Sequence, residues 1–198
     1  MKKKIGLLMG SFNPIHNGHM GIANYVLEFT DVDEIMFIVS PQNPFKQGQE
    51  LLNEVDRFKL VETAIGTTNN MLVSTIEFHM EKPSYSVDTL KQLQMINPDT
   101  EFVLIMGSDN LLKIKEWRDY EYILENFGVY VYKRIGYSLK NFKGIDIINR
   151  YNIKVLDDCP MSDLSSTFIR ESIISDKNVK HFLPCGVYHE IIKNNYYK

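Results

Sequence analysis

The sequence predicts an α/β protein with a single Rossmann-like, doubly wound parallel sheet and a helical C-terminal segment. Short apolar runs typical of strands alternate along the 198 residues with amphipathic stretches typical of helices. This alternation is the pattern of right-handed βαβ units. The run 35–39 is continuously apolar, as in strands that are covered on both faces. We therefore expect one domain over residues 1–198, with 164–198 as its helical C-terminal part.

The first half of the chain is predicted to contain three strands and three helices. We expect the strands at 4–9, 34–39 and 71–75, and the first helix at 17–29, where apolar residues keep helical spacing. Asn53 is expected to cap the second helix. The inward stripe of this second helix is predicted to be Val55, Phe58, Val61 (or its neighbour Leu60) and Ile65.

The segment between the third strand and the third helix is less regular. Residues 76–82 are ambiguous, and we interpret them as a short extended piece. Ser84 and Ser86 are expected to act as caps before a helix that ends at 97–99. The spacing alone leaves undecided whether Tyr85 and Ser86 also contact a substrate.

The second half continues the same alternation. Strands are expected at 101–106, 128–132 and about 154–156, and helices at 120–126, loosely within 141–151, at 166–174 and at about 187–195. Ser165 and Ser166 are predicted to cap the helix at 166–174.

Composition narrows the class of protein. A net charge of −3 argues against a broad nucleic-acid or anionic-membrane surface. The two cysteines, Cys159 and Cys185, show no metal-ligand spacing and suggest no disulfide framework, so a reducing cytoplasm fits best. No apolar run approaches the roughly 18 residues of a membrane span, and the run at 5–9 is too short for a signal peptide. We expect a cytoplasmic protein with no nucleic-acid or membrane partner, and homo-oligomerisation stays open.

The first candidate site is the turn at 10–19. Gly10 ends an apolar strand, Pro14 lies in the loop, and His16 and His19 flank Gly18 where a helix begins. Helix-terminal N–H groups bind anions, glycine lets a phosphate approach the backbone, and imidazoles donate hydrogen bonds to phosphoryl oxygens. An isolated H-x-x-H pattern is short. It is also compatible with one histidine that ends a loop and a second that is exposed on a helix. After a buried strand, this pattern indicates a nucleotide phosphate site.

A second candidate lies at 164–170. Ser166 is expected to cap a helix with free N–H groups, Thr167 offers a hydroxyl, and Arg170 lies one turn later on the same face. These groups together suit the β- and γ-phosphates of a nucleotide. Alone, the segment would be an ordinary capped helix with a solvated arginine. Beside the first motif, it is the expected second phosphate contact.

Five further residues are more diffuse candidates. Lys46 in a Pro-rich loop and Arg134 after a strand could reach a phosphate, although both are compatible with solvated surface charges. Gly107 and Asp109 follow the fourth strand, where a backbone edge and a carboxylate could hold adenine and ribose; alternatively, Asp109 caps the next helix. Trp117, the single tryptophan, could stack on a flat ring or lie in the core.

Taken together, these segments resemble the bacterial nicotinate-nucleotide adenylyltransferase family, within the H-x-G-H nucleotidyltransferase superfamily. The two phosphate motifs are typical of the superfamily. The Pro-Ser-Tyr segment at 83–85, the Gly-x-Asp segment at 107–109 and Trp117 are typical of its pyridine-nucleotide branch. The resemblance runs through 10–19, the loop of the 40s, 83–90, 106–109 with Trp117, 133–137, 164–170, and 182–184 with Val187 and Tyr188.

The resemblance implies a nucleotidyltransferase-type fold and a specific reaction. The adenylyl group of ATP would pass, with Mg²⁺, to nicotinate mononucleotide, giving deamido-NAD and pyrophosphate. The catalytic residues implied are His16, His19 and Arg170. The ATP-binding residues implied are Gly10, Ser11, Phe12, Gly18, Gly107, Asp109, Ser166 and Thr167. The substrate-binding residues implied are Lys46, Tyr85, Ser86, Trp117 and Arg134, and no protein residue is assigned to a metal.

Three departures from the family pattern bear on substrate preference. Phe45 stands where the family often has a histidine, Ser86 replaces a threonine, and Asn13 replaces an aspartate. Nicotinamide mononucleotide is the alternative acceptor, and phosphopantetheine is disfavoured by Trp117 and by the 83–90 segment. The chain is too short to carry the tRNA-binding region of an aminoacyl-tRNA synthetase, and it is not basic. A non-catalytic nucleotide-binding sensor of the same fold is the alternative from another class.

Overall fold

A computed structural model describes residues 2–42, 51–139, 145–160 and 162–198. Its centre is a six-stranded, fully parallel sheet with the order β3-β2-β1-β4-β5-β6. The strands are β1 (Lys3–Gly10), β2 (Glu34–Val39), β3 (Met71–Ser74), β4 (Thr100–Gly107), β5 (Gly128–Tyr132) and β6 (Ile153–Leu156). The predicted parallel α/β sheet is confirmed.

Helices connect these strands and cover both faces of the sheet. They are α1 (Asn17–Phe29), α2 (Glu54–Ile65), α3 (Ser86–Ile96), α4 (Ser108–Leu111), α5 (Tyr120–Asn126), α6 (Ile145–Arg150), α7 (Ser166–Ile174) and α8 (Cys185–Lys193). None of the helices in the described part of the chain is long and apolar enough to cross a membrane.

The central strand β1 divides the core into two layers. Leu7 and Leu8 are adjacent in sequence, and both are buried because neighbouring side chains of a strand point to opposite faces. Leu8 packs with Phe37 on the face covered by α1, α2 and the C-terminal helices. Leu7 packs with Leu104 on the face covered by α3 and α5. A strand covered on both faces needs a continuous apolar run, which explains the composition of the strands.

The structure corrects the prediction for 76–82. Ile76–His79 forms a 3-10 helix rather than an extended piece. Its Glu77 is buried, and the carboxylate accepts hydrogen bonds from Ser84 Oγ at 2.5 Å and from Thr89 Oγ1 at 2.9 Å. Ser84 is therefore not a helix cap. Ser86 is the first residue of α3, and Tyr85 takes the N-cap position without a side-chain hydrogen bond.

The predicted inward stripe of α2 is partly wrong. Asn53 caps α2 as predicted, since its Oδ1 accepts from the Val55 N–H at 2.8 Å. Val55 itself is 49% exposed. Arg57 takes an inward position beside Leu60 and is only 1% exposed. Backbone carbonyls just beyond the carboxyl ends of β1 and β2 accept hydrogen bonds from its guanidinium.

The C-terminal segment is helical, as predicted, and α8 packs against α2. The helix begins at Cys185 and ends at Lys193, two residues earlier at each end than the approximate prediction. The approach is close at Gly186, where an added Cβ would lie 2.7 Å from Thr63 Cγ2. The packing of α8 fixes α2 and hence the loops beside the N-terminal end of α2.

Candidate active site

Two cavities lie at the carboxyl ends of the strands, where the strand order reverses between β1 and β4. Ligands bind at this point in open α/β sheets. The histidine cavity, of about 250 Å³, is lined by residues that include Ser11, His16, Gly18, His19, Arg134, Thr167 and Arg170. The tryptophan cavity, of about 260 Å³, is lined by residues that include Glu77, Tyr85, Ser86, Asp109, Trp117 and Arg118.

The turn after β1 places the two histidines. Phe12 has a positive φ of 44°, and the Asn13–Pro14 peptide is cis. The Phe12 side chain is buried and packs edge-on against Phe37. The Phe12 ring therefore lies in the core, while the backbone of the turn stays beside the histidine cavity.

His16 and His19 form a stacked pair at the start of α1. Their ring centroids lie 3.7 Å apart, and the planes are inclined by 23°. The His16 backbone N–H donates to His19 Nδ1 at 3.3 Å. Because Nδ1 accepts, a neutral His19 carries its proton on Nε2.

His16 is buried, and its Nδ1 has no hydrogen-bond partner among the described residues. Burial, helped by the charge of Arg134, lowers the pKa of His16 to about 4. Its imidazole is therefore neutral near pH 7. An added Cβ at Gly18 would lie 3.0 Å from His16 Nδ1, so the glycine keeps the space beside this ring.

The start of α7 is bonded directly to the turn after β1. Ser166 Oγ donates to the Pro14 carbonyl at 2.8 Å, and Arg170 Nη1 donates to the Asn13 carbonyl at 2.8 Å. The structure therefore brings together the two segments that the sequence separates by about 150 residues. Ser165 caps α7 as predicted, since its Oγ accepts from the Phe168 N–H at 3.1 Å. The prediction that Ser166 also caps the helix is wrong, because Ser166 is the first residue of α7.

Arg134 and Asp109 form an ion pair between the two cavities, with Nη1 and Oδ2 3.2 Å apart. Arg134 lines the histidine cavity and Asp109 lines the tryptophan cavity. The Arg134 N–H also donates to Ser108 Oγ at 3.0 Å, which connects β5 to α4. At Gly107, an added Cβ would collide with the Asp109 carboxylate and lie 2.8 Å from Arg134 Cδ.

The tryptophan cavity lies between the start of α3 and the segment after α4. Tyr85 and Ser86 contribute from α3, and Trp117 contributes from the end of a 3-10 turn. The buried pair of Glu77 and Ser84 forms part of the wall. A flat aromatic side chain beside an uncapped helix start suits a ring that carries an anionic group.

Sequence reasoning missed Arg57, which organises the loops at this end of the sheet. Arg57 Nη1 donates to the carbonyls of Ser11 at 2.6 Å and Ser40 at 2.8 Å, and Nη2 donates to Pro41 at 3.1 Å. Its Nε donates to the Leu52 carbonyl at 2.7 Å. The only signal in the sequence is a charged residue at an inward helical position. Burial lowers the pKa of Arg57.

Three further residues predicted for the site are Lys46, Gly10 and Thr167. Lys46 lies outside the described residues, as does Phe45. Gly10 ends β1, where an added Cβ would lie 3.2 Å from the Phe12 ring, and it is not among the residues that line the histidine cavity. Thr167 lines that cavity and accepts from Arg170 Nη2 at 3.4 Å.

The strand order, together with the hydrogen bonds between the start of α7 and the turn after β1, defines a nucleotidyltransferase-type α/β protein. The family model for cytidylyltransferase-like proteins matches residues 7–172. The fold also resembles that of Plasmodium falciparum nicotinic acid mononucleotide adenylyltransferase in complexes with NaAD and with APC. The TM-scores are 0.80 and 0.82 at 18% and 19% identity, with 98% of this chain and 97% of that chain covered.

Two curated relatives cover almost all of the chain. A protein of Azobacteroides pseudotrichonymphae, named probable nicotinate-nucleotide adenylyltransferase, is 42% identical over 191 residues, which cover 96% of this chain and 97% of the relative. A Flavobacterium johnsoniae protein of the same name is 44% identical over 195 residues, with 98% and 99% covered. The chain therefore belongs to the nicotinate-nucleotide adenylyltransferase family.

Proposed function

We propose that this protein transfers the adenylyl group of ATP to nicotinate mononucleotide in NAD biosynthesis. A phosphate oxygen of the acceptor attacks the α-phosphorus of ATP, the bond to the bridging β-phosphate oxygen breaks, and pyrophosphate leaves. The product is deamido-NAD. The observation that carries this proposal is the direct bonding of α7 to the histidine turn, which supplies donors on two sides of one cavity.

The triphosphate binds in the histidine cavity in this proposal. The start of α7 presents backbone N–H groups, and Thr167 presents a hydroxyl near the Arg170 guanidinium. Arg134, which also lines this cavity, supplies a second cation. The carbonyl of Asn13 holds one Arg170 amino group, which orients the guanidinium before the nucleotide arrives. Such preorganised donors stabilise charge that builds on the leaving pyrophosphate.

The two histidines act as donors in this proposal rather than as a general base. The attacking phosphate is already anionic, so no proton has to be removed from it. His16 is neutral, because burial lowers its pKa to about 4, and it offers one N–H to a phosphoryl oxygen. His19 offers its Nε2–H, since its Nδ1 accepts from the His16 backbone.

The acceptor occupies the tryptophan cavity in this proposal. Trp117 provides a face for the pyridine ring, and the start of α3 at Tyr85 and Ser86 provides N–H groups for a substituent of that ring. Asp109 Oδ1 is buried without a hydrogen-bond partner among the described residues, so it is available to accept from a ribose hydroxyl.

Mg²⁺ enters with ATP in this proposal, as part of the substrate. Among the described residues, no group of three or more His, Cys, Asp or Glu side chains could hold a metal ion. The triphosphate oxygens would hold the ion, which would neutralise charge on the phosphates.

The proposal is tested by incubating the purified protein with ATP, Mg²⁺ and nicotinate mononucleotide. Pyrophosphate release and deamido-NAD formation, separated by chromatography, are expected in equal amounts. Omitting the acceptor should abolish pyrophosphate release. Nucleotide binding without turnover would instead indicate a non-catalytic sensor, and pyrophosphate release with AMP but no dinucleotide product would indicate transfer of the adenylyl group to water.

A further inference from the structure

Arg118 is a cation of the tryptophan cavity that none of the motifs above uses. It follows Trp117 directly, and both side chains line the cavity. Its neighbours are Tyr85, the N-cap of α3, and Asp88 in the first turn of that helix. The position therefore places a guanidinium beside the proposed binding face for the pyridine ring.

Two contacts orient the Arg118 side chain. The guanidinium carbon lies over the Tyr85 ring, 4.9 Å from its centroid. Nη1 donates to Asp88 Oδ2 at 3.2 Å. Arginine carries five N–H donors in a rigid fork, so the Asp88 contact leaves most of them available for another acceptor. A stacked and tethered guanidinium loses less side-chain entropy when it binds a ligand.

The other charged side chains that line the tryptophan cavity are either already paired or exposed. The carboxylate of Glu77 is occupied by two hydroxyl donors, and Asp109 is paired with Arg134. Glu116 and Lys113 also line the cavity, and both are exposed. An anionic ligand entering between these carboxylates needs a cation close to its charged group. Arg118 is the arginine placed there, and its ion pair with Asp88 uses only Nη1.

We infer that Arg118 determines acceptor preference by pairing with the ring carboxylate of nicotinate mononucleotide, an inference that rests on the proposed function. The carboxylate accepts two parallel N–H hydrogen bonds from the guanidinium fork. The carboxamide of nicotinamide mononucleotide carries no charge and offers only one oxygen. The same side chain therefore favours the acid over the amide without contacting the reacting phosphates.

The test compares kcat/KM for the two mononucleotides, with saturating ATP and Mg²⁺, in the wild type and in Arg118→Met. Loss of a charge-assisted pair should lower kcat/KM for nicotinate mononucleotide by about 10- to 100-fold and leave nicotinamide mononucleotide within about threefold. Arg118→Lys, which keeps the charge without the fork, should fall between. Arg150→Met is the matched control, because Arg150 also stacks over a tyrosine, Tyr151, but at the opposite end of the sheet.

Calorimetric titration of both mononucleotides into the same variants separates this inference from the proposed function. If the wild type turns over neither acceptor, the proposed function fails, and the binding ratio still decides the role of Arg118. An unchanged ratio in Arg118→Met, an equal loss for both acceptors, or a larger change of the ratio in Lys113→Met would overturn the inference.

Discussion

Arg57 Nη1 on α2 donates a 2.6 Å hydrogen bond to the carbonyl oxygen of Ser11, the first residue after β1. The same guanidinium also reaches the carbonyls of Ser40 and Pro41 after β2. No carboxylate within the described ranges forms a salt bridge with it. A buried cation thus holds, through their carbonyl dipoles, the loop after β1, whose Ser11 lines the histidine cavity, and the loop after β2, whose Ser40 lines the tryptophan cavity.

We predict that Arg57→Met lowers the free energy of unfolding by about 2–4 kcal/mol, because several buried carbonyls lose their donors. Urea titration followed by circular dichroism measures this. Lys59→Met, an exposed cation on the same helix, is the control and should change stability by less than about 0.5 kcal/mol. Equal effects of the two substitutions would contradict the role given to Arg57.

Arg57 also shows where the sequence stops being informative. The bounds of β2, α1, α5 and β5 were predictable, because continuous apolar runs and helical spacing are local signals. The arginine is satisfied by carbonyls of the loop after β1 and of the connection between β2 and α2, which meet only in the folded protein. Its charge therefore looks like a surface charge in the sequence.

In the candidate site, too, the local motifs could be predicted from the sequence and the long-range contacts could not. The histidine turn and the 164–170 segment are local motifs, so both phosphate elements could be predicted. Their direct bonding through Ser166 and Pro14 is a long-range fact that no spacing encodes. Ser86 was predicted as a cap because serine often caps helices, but Glu77 organises this turn from a distance through Ser84. Side chains that act through tertiary contacts were thus the ones missed.

The buried His16 makes stability depend on pH. Its pKa is lowered from 6.5 to about 4 in the folded protein, mainly by burial. The unfolded chain takes up a proton near pH 6.5, and the folded protein resists it until about pH 4. The contribution of His16 is therefore complete above pH 6.5 and is lost as the pH falls towards 4, by up to about 3 kcal/mol.

The measurement is urea unfolding at several pH values between 4 and 7. His16→Asn, which does not titrate, should show a flatter dependence of the free energy of unfolding on pH than the wild type. Parallel pH profiles for the two proteins would show that His16 already takes up its proton near pH 6.5 in the folded state.

Arg170 is expected to matter more for catalysis than for folding. Arg170→Ala should lower kcat/KM by about 30- to 1000-fold, equivalent to ~2–4 kcal/mol of transition-state stabilisation, and His19→Ala should do the same. Lys177→Ala, which removes an exposed cation just beyond α7, is the control. Initial rates of pyrophosphate release measure all three variants. Near-wild-type rates in both Arg170→Ala and His19→Ala would mean that the site is elsewhere.

Two glycines of α1 provide a test that separates space from helix propensity. At Gly18 an added Cβ would lie 3.0 Å from His16 Nδ1, whereas at Gly21 nothing lies within 4 Å. Alanine is favoured over glycine inside helices by about 0.5–1 kcal/mol. Gly21→Ala should therefore raise the free energy of unfolding by roughly that amount and leave kcat close to the wild-type value.

Gly18→Ala should instead lower kcat by about tenfold or more, because the methyl group displaces the His16 ring and narrows the approach of phosphate to the helix. Its effect on thermal stability should be small, since the helix gain offsets the contact. Steady-state kinetics and thermal unfolding on the same samples distinguish the two effects. Similar kcat values for the two alanine variants would show that the space beside His16 is not needed for the reaction.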